Sequence, residues 1–535
     1  MLLPDLPIGF ALVAVTAASA LAARRLAVPL SIVLVLVGLA LSFMPFMPVV
    51  ELRPELVLTL LLPPLLYSAG VGMSWRGFRA ELRPILQLAV GLVVFTAAIV
   101  ALVAHTLLAL PLAVGFVLGA VVSPPDAVAP MAIARRYALP ARVRTILEGE
   151  GLVNDATALI LFTFAVSAVL GGAKFSLTDA AGAFVLIVAG EIAWGLFIGW
   201  GGLWLRRWAH ETRVEMVIAL LTPFAAFWVP EALGGSGVLA TVTAGLYVSW
   251  NGPRFISSAT RLQGFFIWDM VVYLIEGVIF LLTGLQARAI AGRLPPDGWI
   301  RVAIAAAAVC AVVIAVRFAW VFTVAATGRL LPQNWRTPAL PRRQVFVIAF
   351  TGVRGAVSLA AVLSIPLMAN GAPFPHRDLL LLVTFAVILV TLVGQGLGFS
   401  WVIRKLGLID DGLKEATDAK LHEVAARVKS IDAALARLDA LEDASASPET
   451  ILALRRRSQD RRAYFVAACH DLAEGQIALR STALQLRFLD AERASIAALY
   501  DQNQIEDEAR RRIERELDLE EIRLRHAAES GAPRL

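Results

Sequence analysis

The sequence predicts an all-α polytopic membrane protein with about thirteen transmembrane helices, two of them interrupted, and a helical cytoplasmic tail. Of its 535 residues, 58% are hydrophobic and 17% are charged, whereas soluble proteins contain about 45–50% apolar and about 25% charged residues. The charges are also unevenly divided, because residues 1–403 hold 43 of them and residues 404–535 hold 47. This composition excludes an ordinary soluble enzyme, a disordered chain and a disulfide scaffold.

Thirteen apolar segments are each close to the length of about 20 residues that a helix needs to cross a bilayer core. Two of them contain Pro and Gly breaks, at residues 123–130 and 352–366. Interrupted helices in corresponding positions of the two halves of a transporter mark its substrate site. The predicted segments are 7–23, 27–47, 54–72, 83–109, 111–133, 144–171, 179–205, 214–231, 235–250, 264–287, 300–327, 344–369 and 378–403.

The Lys and Arg residues between these segments predict the orientation of the chain. If the N-terminus lies outside, the inner loops hold 18 Lys and Arg residues and the outer loops hold 6. Because cytoplasmic loops carry the excess of basic residues, we expect residues 1–405 to form a domain in the plasma (inner) membrane. Residues 406–535 should then form a helical domain in the cytoplasm. The basic excess lies in the membrane loops, so the net charge of +6 does not indicate a nucleic-acid partner.

Several charged side chains lie inside predicted spans, where they are costly and usually face a cavity or a partner. Glu150 and Asp155 belong to the densest group. Their spacing rotates them about 140° apart on a helix, so one acid can face a structural partner while the other faces an aqueous cavity. Asn154, four residues after Glu150, shares its face.

The segment Ser123–Asp126 (SPPD) breaks a predicted span, because Pro removes backbone donors and leaves carbonyl groups free. Free carbonyls such as that of Pro125, beside the Asp126 carboxylate, suit a small hard cation, which prefers oxygen ligands. A cap on the following half-helix is the alternative role for Asp126.

Two arginines also lie in predicted spans, and they need counter-charges there because arginine stays protonated. We expect Arg354, in a Gly-Val-Arg-Gly element, to form a structural ion pair with Glu150. For Arg317 three partners stay open: a helix C-terminus, Glu276 and Glu191.

These elements resemble the signatures of the monovalent cation:proton antiporter family that includes the NhaP and NHE exchangers, and a bacterial member is expected. Glu150–Asp155 (EGLVND) is similar to the family's E-S-L-x-N-D, and Gly352–Ser358 (GVRGAVS) is similar to its G-L-R-G-A-V-S. Ser123–Ala129 (SPPDAVA) resembles A-P-T-D-P-V-A, and Pro63–Ala69 (PPLLYSA) resembles P-P-L-L-F-E-A. Gly235–Gly245 (GSGVLATVTAG) resembles a further half-helix, and the likeness runs in order through the membrane domain.

The resemblance implies a thirteen-helix fold with an inverted repeat, a scaffold that forms a homodimer, and a moving bundle that carries the ion. Asp155 would bind a monovalent cation and a proton in turn, with Asn154 as its neighbour. Pro125 and Asp126 would occupy the unwound crossing. The ion pair predicted above would fix the shape of the site.

The chain departs from the family pattern at several positions around this site. Where many members have Thr-Asp-Pro, residues 125–127 are Pro-Asp-Ala, and Gly151 stands where Ser follows the Glu. Ser68 stands where several members have an acid, and we expect it to belong to the ion site. Glu276 stands where a neutral residue is expected, which makes it an accessory candidate together with Arg317.

The predicted function is secondary active antiport of Na⁺, with Li⁺ as a further substrate, against H⁺ in pH and sodium homeostasis. With Asn rather than Asp at position 154, one positive charge moves each way, so the exchange is expected to be electroneutral. The expected partners are monovalent cations, protons, the lipid bilayer and a second copy of the chain. Neither a cofactor nor enzymatic activity is expected.

K⁺/H⁺ antiport is the open alternative within this interpretation. A cation channel, a receptor with a helical signalling tail and a membrane enzyme are the other classes. Channels favour open polar pores or carbonyl rings, whereas lone acids near broken helices fit a carrier. The six His residues are scattered without ligand spacing, so metal-dependent hydrolysis is not indicated.

Overall fold

Helices follow one another along almost the whole described chain. The computed structural model describes residues 6–26, 28–45, 52–171, 177–209, 211–293, 298–327, 338–369, 371–440, 448–473, 479–502 and 504–529. The chain divides into two compact units, one with Met1–Arg135 and Arg142–Leu406 and the other with Arg136–Ala141 and Gly407–Leu535. The division after Leu406 lies beside the predicted domain boundary. The grouping of Arg136–Ala141 with the tail has no counterpart in the predicted domains.

Helices α1 to α18 precede the tail. They are α1 (Leu6–Leu26), α2 (Leu30–Ser42), α3 (Leu62–Gly72), α4 (Trp75–Ala80), α5 (Leu82–Leu86), α6 (Val93–Leu108), α7 (Leu112–Val122), α8 (Val128–Arg136), α9 (Ala141–Gly171), α10 (Leu177–Ala209), α11 (Thr212–Ala232), α12 (Val238–Phe255), α13 (Ser258–Ala291), α14 (Trp299–Thr327), α15 (Arg342–Phe350), α16 (Ala356–Leu363), α17 (Arg377–Leu389) and α18 (Gly396–Lys405). Three π-helical segments, Leu56–Leu61, Gln87–Leu92 and Val390–Gln395, run directly into α3, α6 and α18. Strands β1 (Met368–Ala369) and β2 (Ala372–Pro373) pair antiparallel, with Met368 opposite Pro373 and Ala369 opposite Ala372.

Within the described residues, 7 helices are long and apolar enough to cross a membrane. They are Leu82–Leu108, Ala141–Gly171, Thr178–Ala209, Thr212–Ala232, Ser258–Ala291, Trp299–Thr327 and Arg377–Lys405. Shorter apolar helices accompany them at Leu30–Ser42, Leu56–Gly72 and Leu112–Val122. Each of the thirteen predicted segments contains a helix or a pair of half-helices, while the number of membrane crossings stays a prediction.

Two of the predicted segments are interrupted, as their Pro and Gly residues predict. Residues 123–127 separate α7 from α8, because two consecutive prolines there cannot donate the backbone hydrogen bonds that continue a helix. Residues 351–355 separate α15 from α16. The two breaks contact each other, since the backbone N–H of Asp126 donates to the carbonyl oxygen of Val353 at 2.7 Å.

Glycines let pairs of helices approach until their backbones touch. Gly38 of α2 faces Gly284 of α13, and a Cβ on Gly284 would overlap the carbonyl oxygen of Val35. Gly70 of α3 faces Gly245 of α12 in a similar way. Small residues at helix interfaces are typical of membrane proteins, where close packing holds helices together without help from water.

The second unit contains α19 (Leu408–Ala440), α20 (Pro448–Ala473), α21 (Leu479–Asp501) and α22 (Asp507–Glu529). α19 packs along α20, where Arg462 pairs with Asp432 at 2.5 Å. α21 packs along α22, where Arg493 pairs with Asp518 at 2.6 Å. Exposed ion pairs contribute little stability each, so the buried apolar side chains between these helices carry more of it.

We expect Gly284→Ala to lower the midpoint of thermal unfolding in detergent, because its Cβ would force α2 and α13 apart. Overpacking of this kind costs about 1–3 kcal/mol. Gly190→Ala on α10 is the matched control, since nothing lies within 4 Å of a Cβ at Gly190. The measurement is size-exclusion chromatography after heating. Equal midpoints for the two variants would contradict the close packing of α2 on α13.

Candidate cation-binding site at the crossing of two broken helices

α9 brings the predicted ion-site residues to the break between α7 and α8. Its residues Val153 and Ala156 belong to an apolar cluster with α3 and α12. Gly151 lies against the break, because a Cβ there would come within 2.5 Å of the Cβ of Ala127. Residues three apart share a helix face, so this packing turns Asn154 toward the break.

The side-chain amide of Asn154 is tied to the unwound backbone. Its Nδ2 donates to the carbonyl oxygen of Pro125 at 2.6 Å, so the carbonyl that the break frees is bound by Asn154. The Oδ1 atom of Asn154 is buried and has no hydrogen-bond partner in the described part of the chain. A buried acceptor without a donor costs free energy, which leaves this oxygen available to a cation.

Asp126 lies between the starts of two half-helices. Its Oδ1 accepts a hydrogen bond from the N–H of Val128 at 3.0 Å, so the capping role considered for Asp126 is present at α8. The carboxyl also packs against Gly355 so closely that a Cβ there would overlap it, and α16 begins at the next residue. Helix N-termini favour a negative charge. Oδ2 of Asp126 is buried without a partner among the described residues.

Asp155 is partly exposed, as Asp126 is. As far as the structure describes the chain, its carboxylate makes no hydrogen bond and no ion pair. Asp155 follows Asn154, which binds the carbonyl of Pro125, and Asp126 follows Pro125, so the two carboxylates belong to neighbouring residues of one crossing. Neighbouring carboxylates that repel each other gain from binding a positive charge, so the arrangement suits a proton or a cation.

Glu150 pairs with Arg317, and the predicted pairing of Glu150 with Arg354 is wrong. The Arg317 guanidinium donates to the two carboxylate oxygens of Glu150 at 2.5 and 2.9 Å, and both side chains are only 2% exposed. Arg317 also donates to the carbonyl oxygen of Ile348 in the last turn of α15, at 3.2 Å from Nε and 3.0 Å from Nη2. Arg317 therefore contacts the C-terminus of α15, and a helix C-terminus was one of its three predicted partners.

Arg354 instead caps the other half-helix that ends at the crossing. Its Nε donates to the carbonyl oxygen of Val122, the last residue of α7, at 2.5 Å, and its Nη1 donates to that of Gly352 at 3.0 Å. Its backbone N–H donates to Oγ1 of Thr391 at 3.0 Å. The carbonyls at a helix C-terminus carry partial negative charge, which explains why this guanidinium lies there and not on Glu150.

The remaining predicted residues have other surroundings. Ser68 is partly buried on α3 and donates its hydroxyl to the carbonyl of Leu65 in the same helix at 2.9 Å. Glu276 is partly buried on α13. Glu191 accepts backbone hydrogen bonds at the start of α12, including that of Ser236 at 2.6 Å, so it is not the acid that binds Arg317. The sequence analysis did not predict this cap. An acid inside one apolar segment and a Gly-rich helix start in another could have indicated it, because helix N-termini favour a negative charge.

Comparison with known proteins agrees with this geometry. A profile described as the transmembrane sodium/hydrogen exchanger matches residues 10–405. This chain belongs to the sodium/hydrogen exchanger family. The membership that the motifs predict is thereby confirmed, and the exchanger is a multi-pass membrane transporter of cations and protons rather than an enzyme.

The exchanger resembles an uncharacterized Na(+)/H(+) exchanger of Mycobacterium tuberculosis at 35% identity, over 97% of this chain and 96% of the relative. It is 35% identical to the sodium, potassium, lithium and rubidium/H(+) antiporter of Bacillus subtilis, over 68% of this chain and 56% of that one. Its fold is similar to that of the sodium proton antiporter MjNhaP1 from Methanocaldococcus jannaschii, with a TM-score of 0.62 at 18% identity, over 76% of this chain and 99% of that chain. The predicted all-α polytopic fold class is therefore confirmed.

We expect Glu150→Gln and Arg317→Gln each to reduce the yield of folded exchanger strongly, because removing one partner of a buried ion pair costs about 3–5 kcal/mol. The double variant Glu150→Gln/Arg317→Gln should recover a large part of that yield, since no charge is then left unpaired. The measurement is the monodisperse fraction in size-exclusion chromatography.

The control for this pairing is the double variant Glu150→Gln/Arg354→Gln, which should not recover. It removes the same acid but leaves the Arg317 charge buried without a carboxylate. Equal recovery in the two double variants would show that Glu150 does not depend on Arg317 specifically.

Proposed function

We propose that the exchanger carries Na⁺, with Li⁺ as a further substrate, against H⁺, and that Asp155 binds the two in turn. The observation that carries this proposal is a group of side-chain oxygens without hydrogen-bond donors in the described chain, namely the Asp155 carboxylate, Oδ2 of Asp126 and Oδ1 of Asn154. Hard cations prefer such oxygen ligands. The Pro125 carbonyl and the Ser68 hydroxyl are further groups that we assign to the site.

The site works as an exchanger if Asp155 crosses the membrane only when its charge is neutralised. A bare carboxylate in a dry protein interior is costly, so the empty site does not cross, and uncoupled leak is suppressed. A proton and a cation neutralise the same carboxylate, so each displaces the other. Alternating access then carries the loaded site from one face of the membrane to the other.

The charges around the crossing support an electroneutral exchange. The ion pair of Glu150 is neutral, and Arg354 offsets one of the two carboxylates of Asp126 and Asp155. One proton or one monovalent cation neutralises the charge that remains, so the loaded site carries the same charge in both directions. Asn154, in place of a further acid, supports the same conclusion.

The proposal places this exchange at the plasma (inner) membrane, in the service of pH and sodium homeostasis. The inner loops hold 18 Lys and Arg residues against 6 in the outer loops when the N-terminus lies outside, which supports a cytoplasmic domain at residues 406–535. The family resemblance supports a homodimer.

K⁺/H⁺ antiport is the second candidate function. The relative from Bacillus subtilis is named for potassium and rubidium as well as sodium and lithium. The exchanger also lacks the Thr that many family members have at the position of Pro125 and the acid that several have at the position of Ser68. Fewer side-chain oxygens are therefore available to replace the water around a small cation. This shortage favours the larger K⁺ over Na⁺.

We expect Asp155→Asn to reduce Na⁺-dependent proton flux in proteoliposomes to the level of protein-free liposomes, while the variant stays folded. The amide keeps the size of the carboxylate but cannot take up a proton in exchange for a cation. Asp269→Asn is the control, because it neutralises an exposed acid on α13. Normal flux in Asp155→Asn would refute the assignment of the carrier.

We expect Na⁺ and Li⁺, added separately, to release protons from proteoliposomes at lower concentrations than K⁺, because the oxygens at the crossing suit a small hard cation. The measurement is the dequenching of a pH dye during a titration with each cation. Holding the membrane potential at zero should leave the initial rates unchanged. A lower half-saturating concentration for K⁺ would replace the Na⁺ proposal by the second candidate.

A further inference from the structure

The segment Arg136–Ala141 groups with the tail, although it lies within the membrane part of the sequence. It forms one compact unit with Gly407–Leu535, and we call it the linker because it joins α8 to α9. α8 begins two residues after Asp126, and α9 carries Asn154 and Asp155. The linker thus connects α8, which begins just after Asp126, to α9, which carries the other two acid and amide residues of the proposed ion site.

The first two turns of α19 hold the linker by its backbone. The N–H of Ala141 donates to Oε2 of Glu415 at 3.0 Å. The carbonyl group of Ala138 lies against Gly412 so closely that a Cβ on Gly412 would overlap it. Gly412 and Glu415 are three residues apart and share one face of α19, and Leu139 of the linker is buried. A backbone contact of this kind fixes the path of the linker.

The chain passes from the tail unit to the membrane unit between Ala141 and Arg142. The Arg142 guanidinium binds the Glu81 carboxylate twice, at 2.7 and 3.0 Å, and the carbonyl oxygen of Pro338 at 2.5 Å. The first turn of α9 is therefore held by the tail at one residue and by the membrane unit at the next. A helix rises about 1.5 Å per residue as one stiff rod, so a shift of this turn is transmitted to Asp155.

We propose that Gly412 and Glu415 are positioning residues for the exchange: the start of α19 fixes the linker, and so sets how the end of α8 and the start of α9 move. The inference rests on the proposed function, because it assigns the tail a role in moving that ion site. The tail then acts on the linker through Gly412 and Glu415. The contact of these two residues with the linker can be removed without changing a residue of the ion site.

The experiment uses the full-length exchanger with two disrupting variants. Glu415→Ala removes the acceptor of the Ala141 N–H, and Gly412→Ala introduces the Cβ that meets the carbonyl of Ala138. Glu415→Gln keeps an acceptor oxygen and should behave like the wild type. Asp418→Ala is the matched control, because it removes an exposed acid from the next turn of the same helix.

Two measurements are made on each variant. Hydrogen exchange followed by mass spectrometry should show about fivefold faster exchange of the linker amides in the disrupting variants, as the loss of one hydrogen bond predicts. In proteoliposomes, the same two variants should shift the half-saturating Na⁺ concentration by about threefold or more. Glu415→Ala should do so at unchanged yield and thermal stability, whereas Gly412→Ala should also lower the midpoint of unfolding, because its Cβ overlaps the carbonyl of Ala138. A purely structural role would alter yield or stability without moving the half-saturating concentration.

The outcomes separate this inference from the proposed function. Faster hydrogen exchange in the linker with unchanged Na⁺ dependence would overturn the positioning role, and so would unchanged hydrogen exchange in both disrupting variants. If the wild type transported no cation at all, the proposed function would fail first, while hydrogen exchange would still report on the contact. A shift shared by Asp418→Ala would mean that tail charge acts, and it would overturn the specific role of Gly412 and Glu415.

Discussion

Four helix ends meet where α7/α8 and α15/α16 are broken, and the need to balance their charge constrains the rest of the site. Irregular backbone inside a membrane domain is tolerated only where protein or water satisfies it. Here Arg354 binds the end of α7, and Arg317 binds the end of α15. Asp126 caps α8 and packs against the residue before α16. Each sign of charge therefore lies at the helix end that favours it.

These contacts support the proposal that Asp155 is the acid that binds a cation and a proton in turn. Glu150 is fully engaged by Arg317 through two hydrogen bonds. Asp126 has one oxygen on α8 and one without a partner in the described chain. Asp155 is the one of these three acids that contacts no donor among the described residues. The Asp155 carboxylate is therefore the one of the three that has no donor or cation partner among the described residues.

Local patterns in the sequence predict much of this arrangement. Apolar runs predict the helices, and the prolines of the Ser123–Asp126 segment predict the first break, because both signals act over a few residues. The partner of Glu150 is not predictable in this way. Arg317 and Arg354 both lie in apolar runs, and which of them reaches Glu150 depends on how α14 approaches α9. Thr391 was missed for the same reason, since nothing local marks the π-helical segment that presents it to Arg354.

Two of the departures from the family motifs meet at one contact. Ala127 stands where many members have Pro, and Gly151 stands where they have Ser; in the structure these two residues meet, and a Cβ on Gly151 would lie 2.5 Å from that of Ala127. With no side chain at 151, α9 lies close to the unwound segment. Asn154, one turn later, then reaches the carbonyl of Pro125 at 2.6 Å. The crossing therefore presents a backbone carbonyl and an amide oxygen close together, and the Thr and Ser hydroxyls of the family motifs are absent from these positions.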